Sequence, residues 1–262
     1  MEDLRGKVAI VTGSATSIGA TVATSFVEAG SRVIIADINV DAGEKLAKAL
    51  GENALFVKTD VASDDDLKNC VSKAAAKFGG INFVVNVACT YVDNGMDSTR
   101  EEFMQAVNIN AAGGFMLVQF ARPFLKKSKG AVVNFGSISA KVAQPGRALY
   151  PLTKAAIHQI TRNEALLLAE DGIRVNTVSP GWTWCSIMDE VTGGNRAKTD
   201  AVAAPFHITG RVGNQIEIAN AVLFLCSDKA SFINGTDLAV DGGYTAIGPE
   251  QQTDALAKLA SE

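Results

Sequence analysis

The chain has 262 residues, with 24 basic side chains against 28 acidic ones, for a net charge of −4. With 47% hydrophobic and 20% charged residues it can bury a substantial core, which excludes a disordered chain. The acidic balance gives no basic field for nucleic acid, and no apolar run approaches the roughly 20 residues needed to span a bilayer.

Residues 7–12 form a short apolar and β-branched run, the signature of a first strand. A turn rich in Gly, Ser and Thr follows, then a helix to about Ala29, closed by Gly30. Residues 32–37 read as a second strand, 41–50 as a helix and 54–58 as a third strand. A helix is expected over 64–78, a fourth strand over 81–87, and two helical stretches over 100–125. The fifth strand falls at 131–135, a long helix at about 150–169, and the sixth and seventh strands at 174–178 and 237–240.

Strands that are apolar on both faces and separated by helices predict a parallel sheet covered on both sides. The expected fold is α/β: a Rossmann-like, doubly wound sheet of about seven strands in one domain over 1–262. Residues 181–213 stand outside this alternation and predict a lid over a site. Residues 247–262 form a tail that either reaches a neighbouring subunit or frays. The acidic start and the scattered Cys70, Cys89, Cys185 and Cys226 point to a reduced, cytoplasmic protein with no disulfide framework and no metal site.

The turn after the first strand reads Thr12-Gly13-Ser14-Ala15-Thr16-Ser17-Ile18-Gly19. Glycine there lets backbone N–H groups and a helix N-terminus face a pyrophosphate, which marks Gly13, Ser17, Ile18 and Gly19. Asp37 ends the second strand at about the ~20-residue interval where a carboxylate meets the adenosine ribose. It would repel the 2′-phosphate of NADP, and Thr16, Ile38 and Asn39 supply no cation to offset that. NAD is expected over NADP.

Tyr150 and Lys154 stand at i and i+4, one above the other on a helix face. A free tyrosine titrates at about 10 and works as an acid/base near neutrality only when its phenolate is stabilised, as by an adjacent lysine. Ser137, in Gly136-Ser137-Ile138-Ser139, ends a strand upstream of the tyrosine.

With Asp60-Val61, Asn86-Val87-Ala88, Asn108-Ile109-Asn110, Asn176, Pro180-Gly181 and Val240-Asp241-Gly242-Gly243 added, the chain resembles the short-chain dehydrogenase/reductase family over residues 6–244. The resemblance implies an NAD(P)-dependent oxidoreductase that interconverts a secondary alcohol and a ketone. Tyr150 would be the general acid/base and Ser137 would hold the substrate oxygen. Lys154 would lower the tyrosine pKa and bind the nicotinamide ribose, and Asn110 would fix a helix kink and a proton-relaying water. Asp60, Val61, Asn86, Ala88, Pro180 and Gly181 would line the cofactor. The tyrosine–lysine spacing resembles that of alcohol/ketone enzymes, whereas enoyl reductases of the family space the pair more widely. A homotetramer is implied, with a dimer as the alternative, paired through the long helices and the end of the sheet.

Three residues depart from the family pattern. Ser17 replaces a glycine, at little expected steric cost and with a hydroxyl free to meet phosphate. Cys89 also stands where glycine is usual. Cys185 replaces a threonine near the nicotinamide amide, leaving Thr183 as the candidate for that contact. In the lid, Trp182, Trp184, Met188 and Phe206 suggest a medium-sized, cyclic or aromatic alcohol or ketone. His207 and Arg147 are further candidate contacts, while His158 reads as packing or interface. Arg147 and Arg196 keep a polyol, sugar or hydroxy acid in reserve. The rival of another class is a catalytically silent NAD(H)-binding sensor, against which stand the intact Ser137, Tyr150 and Lys154.

Overall fold

Runs of apolar, largely β-branched residues form the strands of a computed structural model that describes residues 2–261. They are β1 (Val8–Thr12), β2 (Arg32–Asp37), β3 (Ala54–Lys58), β4 (Phe83–Asn86), β5 (Ala131–Phe135), β6 (Arg174–Pro180) and β7 (Asp237–Val240). All pair in parallel, in the order β3-β2-β1-β4-β5-β6-β7. The connecting helices are α1 (Ser17–Glu28), α2 (Val40–Leu50), α3 (Asp64–Phe78), α4 (Arg100–Val107), α5 (Gly113–Ser128) and α6 (Leu149–Leu167). Beyond β6 come α7 (Ser186–Thr192), α8 (Arg196–Ala203), α9 (Gln215–Cys226) and α10 (Ala255–Ser261).

Alternate residues of each strand serve opposite layers. Val11, Val33, Val133 and Val178 pack against Val22 and Phe26 of α1 and Val222 and Leu225 of α9. Ile10, Ile34, Val84 and Val132 face Leu67 of α3 and Leu117 and Leu125 of α5. The sheet is therefore buried on both faces, as its unbroken apolar strands require. Since β2 and β4 flank β1, the connections turn in opposite directions there, opening a crevice beyond the carboxyl ends of β1 and β4.

The segment 181–213 is partly helical, holding α7, α8 and a short 3₁₀ turn at Ala204–Phe206. The stretch 100–125 is broken by a π-helical turn at Asn108–Ala112. The tail, expected to reach a neighbour or fray, lies in part against the segment 181–213: Gln252 Nε2 donates to Ala204 O (2.7 Å) and His207 O (2.9 Å).

Ser17 corrects an expectation. Its φ of +52° is in the left-handed region, where a Cβ costs roughly 1–2 kcal/mol, so the exchange for glycine carries a real steric cost.

A buried polar chain runs beneath the crevice. Asn86 Nδ2 donates to Asn134 Oδ1 (2.8 Å), and Asn134 Nδ2 donates to Thr161 Oγ1 (3.0 Å) and Glu164 Oε2 (2.9 Å). Glu164 is only 3% exposed. Burial pushes its carboxyl up from 4.5 to about 7, against the lowering effect of the Asn134 hydrogen bond.

Two predictions follow from these strained and buried groups. Glu164 ionises in the unfolded chain well before it ionises in the folded one, so its contribution to stability falls as pH rises from 4.5 to about 7. At pH 8 the loss is about 3 kcal/mol. Glu164→Gln should therefore flatten that dependence, the melting difference from wild type moving in the variant's favour between pH 5 and pH 8; parallel curves would refute it. Ser17→Gly should raise the denaturation midpoint by about 0.5–1 kcal/mol of stability, after glycine's own entropic cost. A lower midpoint would mean that the Ser17 hydroxyl outweighs the strain.

Candidate active site

The helix carrying Tyr150 and Lys154 begins without a cap of its own, because Ala148 has no side-chain acceptor. Asp93 supplies one from the loop after β4, 55 residues away from Ala148. Its carboxylate accepts from Ala148 N through both oxygens, from Tyr150 N (2.9 Å) and from Gly95 N (3.0 Å). Burial pulls the Asp93 carboxyl upward, but these backbone donors outweigh it and hold the group below the ordinary range. A fixed anion at this helix end also answers the helix dipole.

Lys154 is only 3% exposed. Its Nζ donates to Phe135 O (2.8 Å) at the end of β5 and lies 5.5 Å from the centroid of the Tyr150 ring. The Arg147 guanidinium is also 5.5 Å from that centroid, exposed and with no carboxylate partner among the described residues. Tyr91 stacks on Tyr150 with centroids 5.1 Å apart. The adjacent Cys89, followed by burial and the Tyr150 hydroxyl, pushes the Tyr91 phenol upward, so Tyr91 keeps its proton.

Ser137 is buried just after β5. Its Oγ accepts from Ser139 N (3.1 Å) and donates to Ser139 Oγ (3.2 Å), which in turn donates to Gln144 Oε1 (2.6 Å). Asn110 occupies the π turn between α4 and α5. It accepts from Thr90 N (2.7 Å) and donates to Thr90 O (3.0 Å) and to Thr153 Oγ1 (3.1 Å), the residue beside Lys154. Asn110 thus fastens the helix break to both the β4 loop and α6.

The expected cofactor residues converge on the crevice. Gly13, at φ +62°, passes so close to Ala88 that a Cβ would sit 2.7 Å from the Ala88 Cα. At Gly19 a Cβ would come 2.0 Å from Gly13 O. Thr12 Oγ1 accepts from Val87 N and Ala88 N (3.2 Å each), tying the two loops together. Thr16 makes no side-chain cap, leaving the first-turn N–H groups of α1 without side-chain acceptors, and Ile18 packs against the core. Asp37 accepts from Ala15 N and Asn39 N (2.9 Å each), which stations its carboxylate beside the turn. Asp60 is exposed and accepts from Ala62 N (2.9 Å), with Val61 buried next to it. Across the crevice Gly181 lies against Asp241, where a Cβ would come within 2.7 Å of the Cα, and Thr183 Oγ1 donates to Gly181 O (3.1 Å). A side-chain-free cradle, a helix end with unclaimed donors and a carboxylate at the second strand fit a dinucleotide.

The aromatic and neighbouring residues of the segment 181–213 divide into two groups. Trp182 contacts Phe206 and His207, with centroids 6.0 and 6.1 Å apart, and Tyr244 meets His207 edge-on at 5.3 Å. His207 is buried, its Nδ1 donating to Ala203 O (3.0 Å), so it packs inside this segment. Trp184 instead lies under the Arg196 guanidinium at 5.3 Å, while Met188 is half-buried on α7. Arg196 is committed to Asp200 at 3.1 Å. His158 bonds Ser179 Oγ (3.1 Å), inside the subunit. Cys70 and Cys226 are buried and pushed up to about 12, which leaves them inert thiols.

Sequence reasoning missed Asp93, Tyr91, Ser139 and Gln144. The signal within reach was the acidic residue in the β4 loop, a fitting cap for an uncapped helix.

A family model described as enoyl-(acyl carrier protein) reductase matches residues 13–245. An uncharacterized oxidoreductase of Thermotoga maritima is 35% identical, over 92% of this chain and 97% of its own. A 2,5-dichloro-2,5-cyclohexadiene-1,4-diol dehydrogenase of Sphingobium indicum is 34% identical, over 92% of this chain and 97% of its own. Tropinone reductase-like 1 of Erythroxylum coca is 32% identical, over 98% of this chain and 96% of its own. With this site at the carboxyl edge of a seven-stranded parallel sheet, the chain belongs to the short-chain dehydrogenase/reductase family of oxidoreductases, which use NAD(P).

Proposed function

We propose that the chain is an NAD-dependent oxidoreductase that interconverts a secondary alcohol and a ketone, with Tyr150 as the general acid/base. The observation that carries this reading is the setting of Tyr150. Its ring is buried, stacked on Tyr91, and has the Lys154 and Arg147 cations at 5.5 Å. Negative charge developing on the phenol oxygen would be attracted by both.

In the oxidation direction the Tyr150 hydroxyl, once deprotonated, takes the proton of the substrate alcohol, and in reduction it returns one to the carbonyl oxygen. Ser137 would turn its one hydroxyl proton from Ser139 Oγ to that same oxygen and steady its charge in the transition state. Lys154 would hold the phenol's charge and bind the nicotinamide ribose, while Asn110 keeps α6 in register with the β4 loop. When bound, the nicotinamide supplies the hydride acceptor or donor. Gly13, Ser17, Ile18 and Gly19 would hold the pyrophosphate, Asp60 and Val61 the adenine, and Asn86, Ala88, Pro180, Gly181 and Thr183 the remainder.

NAD is favoured over NADP because the Asp37 carboxylate stands beside the turn and would oppose a 2′-phosphate. The family description names enoyl reductases, but the i, i+4 spacing of Tyr150 and Lys154 supports carbonyl chemistry. A ring-bearing substrate is supported by the Trp182–Phe206 pair and by the cyclic diol in one relative's name. Arg147, exposed and without a carboxylate partner among the described residues, supports an anionic substrate such as a hydroxy acid as a second reading.

We further infer one catalytic domain over 1–262, with a lid at 181–213 and a tail at 247–262, working as a cytoplasmic homotetramer. The free cysteines support a reducing compartment. Exposed Phe103 and Met104 on α4, Phe115 on α5 and Leu166 and Leu167 on α6 support pairing through those helices.

NADH formation from NAD⁺, with NADP⁺ in parallel, across aliphatic, cyclic, aromatic and polyol secondary alcohols tests this reading. Tyr150→Phe should lower turnover by about 10²–10⁴-fold, and Asp37→Ala should narrow the preference for NAD⁺ by about tenfold. Turnover with NADP⁺ alone would sink the Asp37 argument. NADH binding without turnover of any alcohol would favour the sensor.

A further inference from the structure

Gln215, the first residue of α9, belongs to neither the proposed cofactor set nor the proposed catalytic set. Its amide is nevertheless shared between both sides of the site. Oε1 accepts from Thr21 Oγ1 (2.7 Å) on α1, and Nε2 donates to Trp184 O (3.0 Å) in the lid. Nε2 also reaches Ser17 Oγ (3.5 Å) in the phosphate-binding turn. Ser17, Thr21, Ser186 and Gln215 line one groove between α1 and the lid.

The lid's first residues are held as a unit. Trp184 N donates to Gly213 O (2.9 Å) and Gly213 N to Trp182 O (2.7 Å), around a parallel bridge between Thr183 and Gly213. Arg196 covers the Trp184 ring and donates to Val212 O (2.9 Å). This brace lies next to Gln215 in the chain, and Gln215 carries it onto the turn of α1 whose N–H groups face the pyrophosphate.

We propose that Gln215 is a positioning residue that docks the lid onto the phosphate-binding end of α1, so that dinucleotide binding and lid closure favour one another. The proposal rests on the dinucleotide reading of the Gly13–Gly19 turn. A phosphate on the first-turn N–H groups orders Ser17, itself held in the left-handed region, and with it Thr21. Gln215 then finds both anchors in place, and the lid pays less entropy to close; by reciprocity a closed lid tightens the cofactor. The amide fills both roles of the bridge, Oε1 as acceptor towards Thr21 and Nε2 as donor towards Trp184. Two such hydrogen bonds correspond to about tenfold in the linkage.

The chain has two tryptophans, Trp182 and Trp184, so its intrinsic fluorescence reports on the lid. The test uses the full chain as wild type, Gln215→Met, Thr21→Val and the double variant, each checked by circular dichroism. NADH affinity is measured by fluorescence titration, and tryptophan accessibility by acrylamide quenching with and without saturating NAD⁺. In wild type, NAD⁺ should shield the tryptophans. Gln215→Met should bind NADH about tenfold more weakly and lose the NAD⁺-dependent shielding. Thr21→Val should move the same way, and the double variant should be no worse than Gln215→Met. Unchanged NADH affinity and unchanged shielding in a folded Gln215→Met would overturn the proposal alone. Wild type failing to bind NADH at all would overturn the dinucleotide reading and this proposal together.

Discussion

The crevice depends on the approach of the Gly13 backbone to Ala88, where a side chain would sit 2.7 Å from a main-chain carbon. It brings the turn after β1 against the loop after β4, at the point where the order of strands reverses. Thr12 Oγ1 fixes the same contact by accepting from Val87 N and Ala88 N. The two loops meet this closely because Gly13 carries no side chain, and the first-turn N–H groups of α1 are left without side-chain acceptors. Widening this contact would move the turn away from β4 and, with it, every residue that the β4 loop positions.

From that contact the β4 loop continues toward the chemistry. Within six residues of Ala88 it fastens α6 in three ways. Thr90 holds Asn110, whose amide also reaches Thr153; Tyr91 stacks on the Tyr150 ring; and Asp93 caps the helix through Ala148 and Tyr150. The glycine-rich turn after β1 and the helix that carries Tyr150 thus share one length of backbone. That arrangement gives Tyr150 a defined position despite lying on a helix with no cap of its own.

The sheet was legible because its strands are apolar on both faces and its helices intervene at regular intervals. Gly13, Asp37, Ser137, Tyr150 and Lys154 were legible because each sits beside a strand end or at a helical spacing, both of which are local patterns. What escaped the sequence is contact between distant segments. Asp93 and Tyr150 are 57 positions apart, and Thr21 and Gln215 are 194 apart, so no periodicity links them. Glu164 escaped for another reason. A glutamate on a helix normally signals a solvated face, and only the fold shows it buried against Asn134. Ser17 was seen but misjudged, because the sign of φ is a property of the folded turn. The lid read as irregular since α7 and α8 are too short to show a sustained apolar stripe.

These features share a logic in the placement of charge. The buried Lys154 ammonium is met by the Phe135 carbonyl and not by a carboxylate, so its charge is not cancelled within hydrogen-bond reach. The nearest anion on α6's own support, Asp93, is spent on backbone N–H groups at the helix end. Glu164, lower on the same helix, is pushed up to about 7 and set against a neutral partner, Asn134. Asp93 is thus consumed by the backbone and Glu164 suppressed by burial, and Asp237, which faces His158 of α6, is paired with Lys141, while the Lys154 and Arg147 cations remain beside the Tyr150 ring. On the proposed reading of Tyr150 as acid/base, cations beside its ring would attract charge that develops on the phenol oxygen during proton transfer.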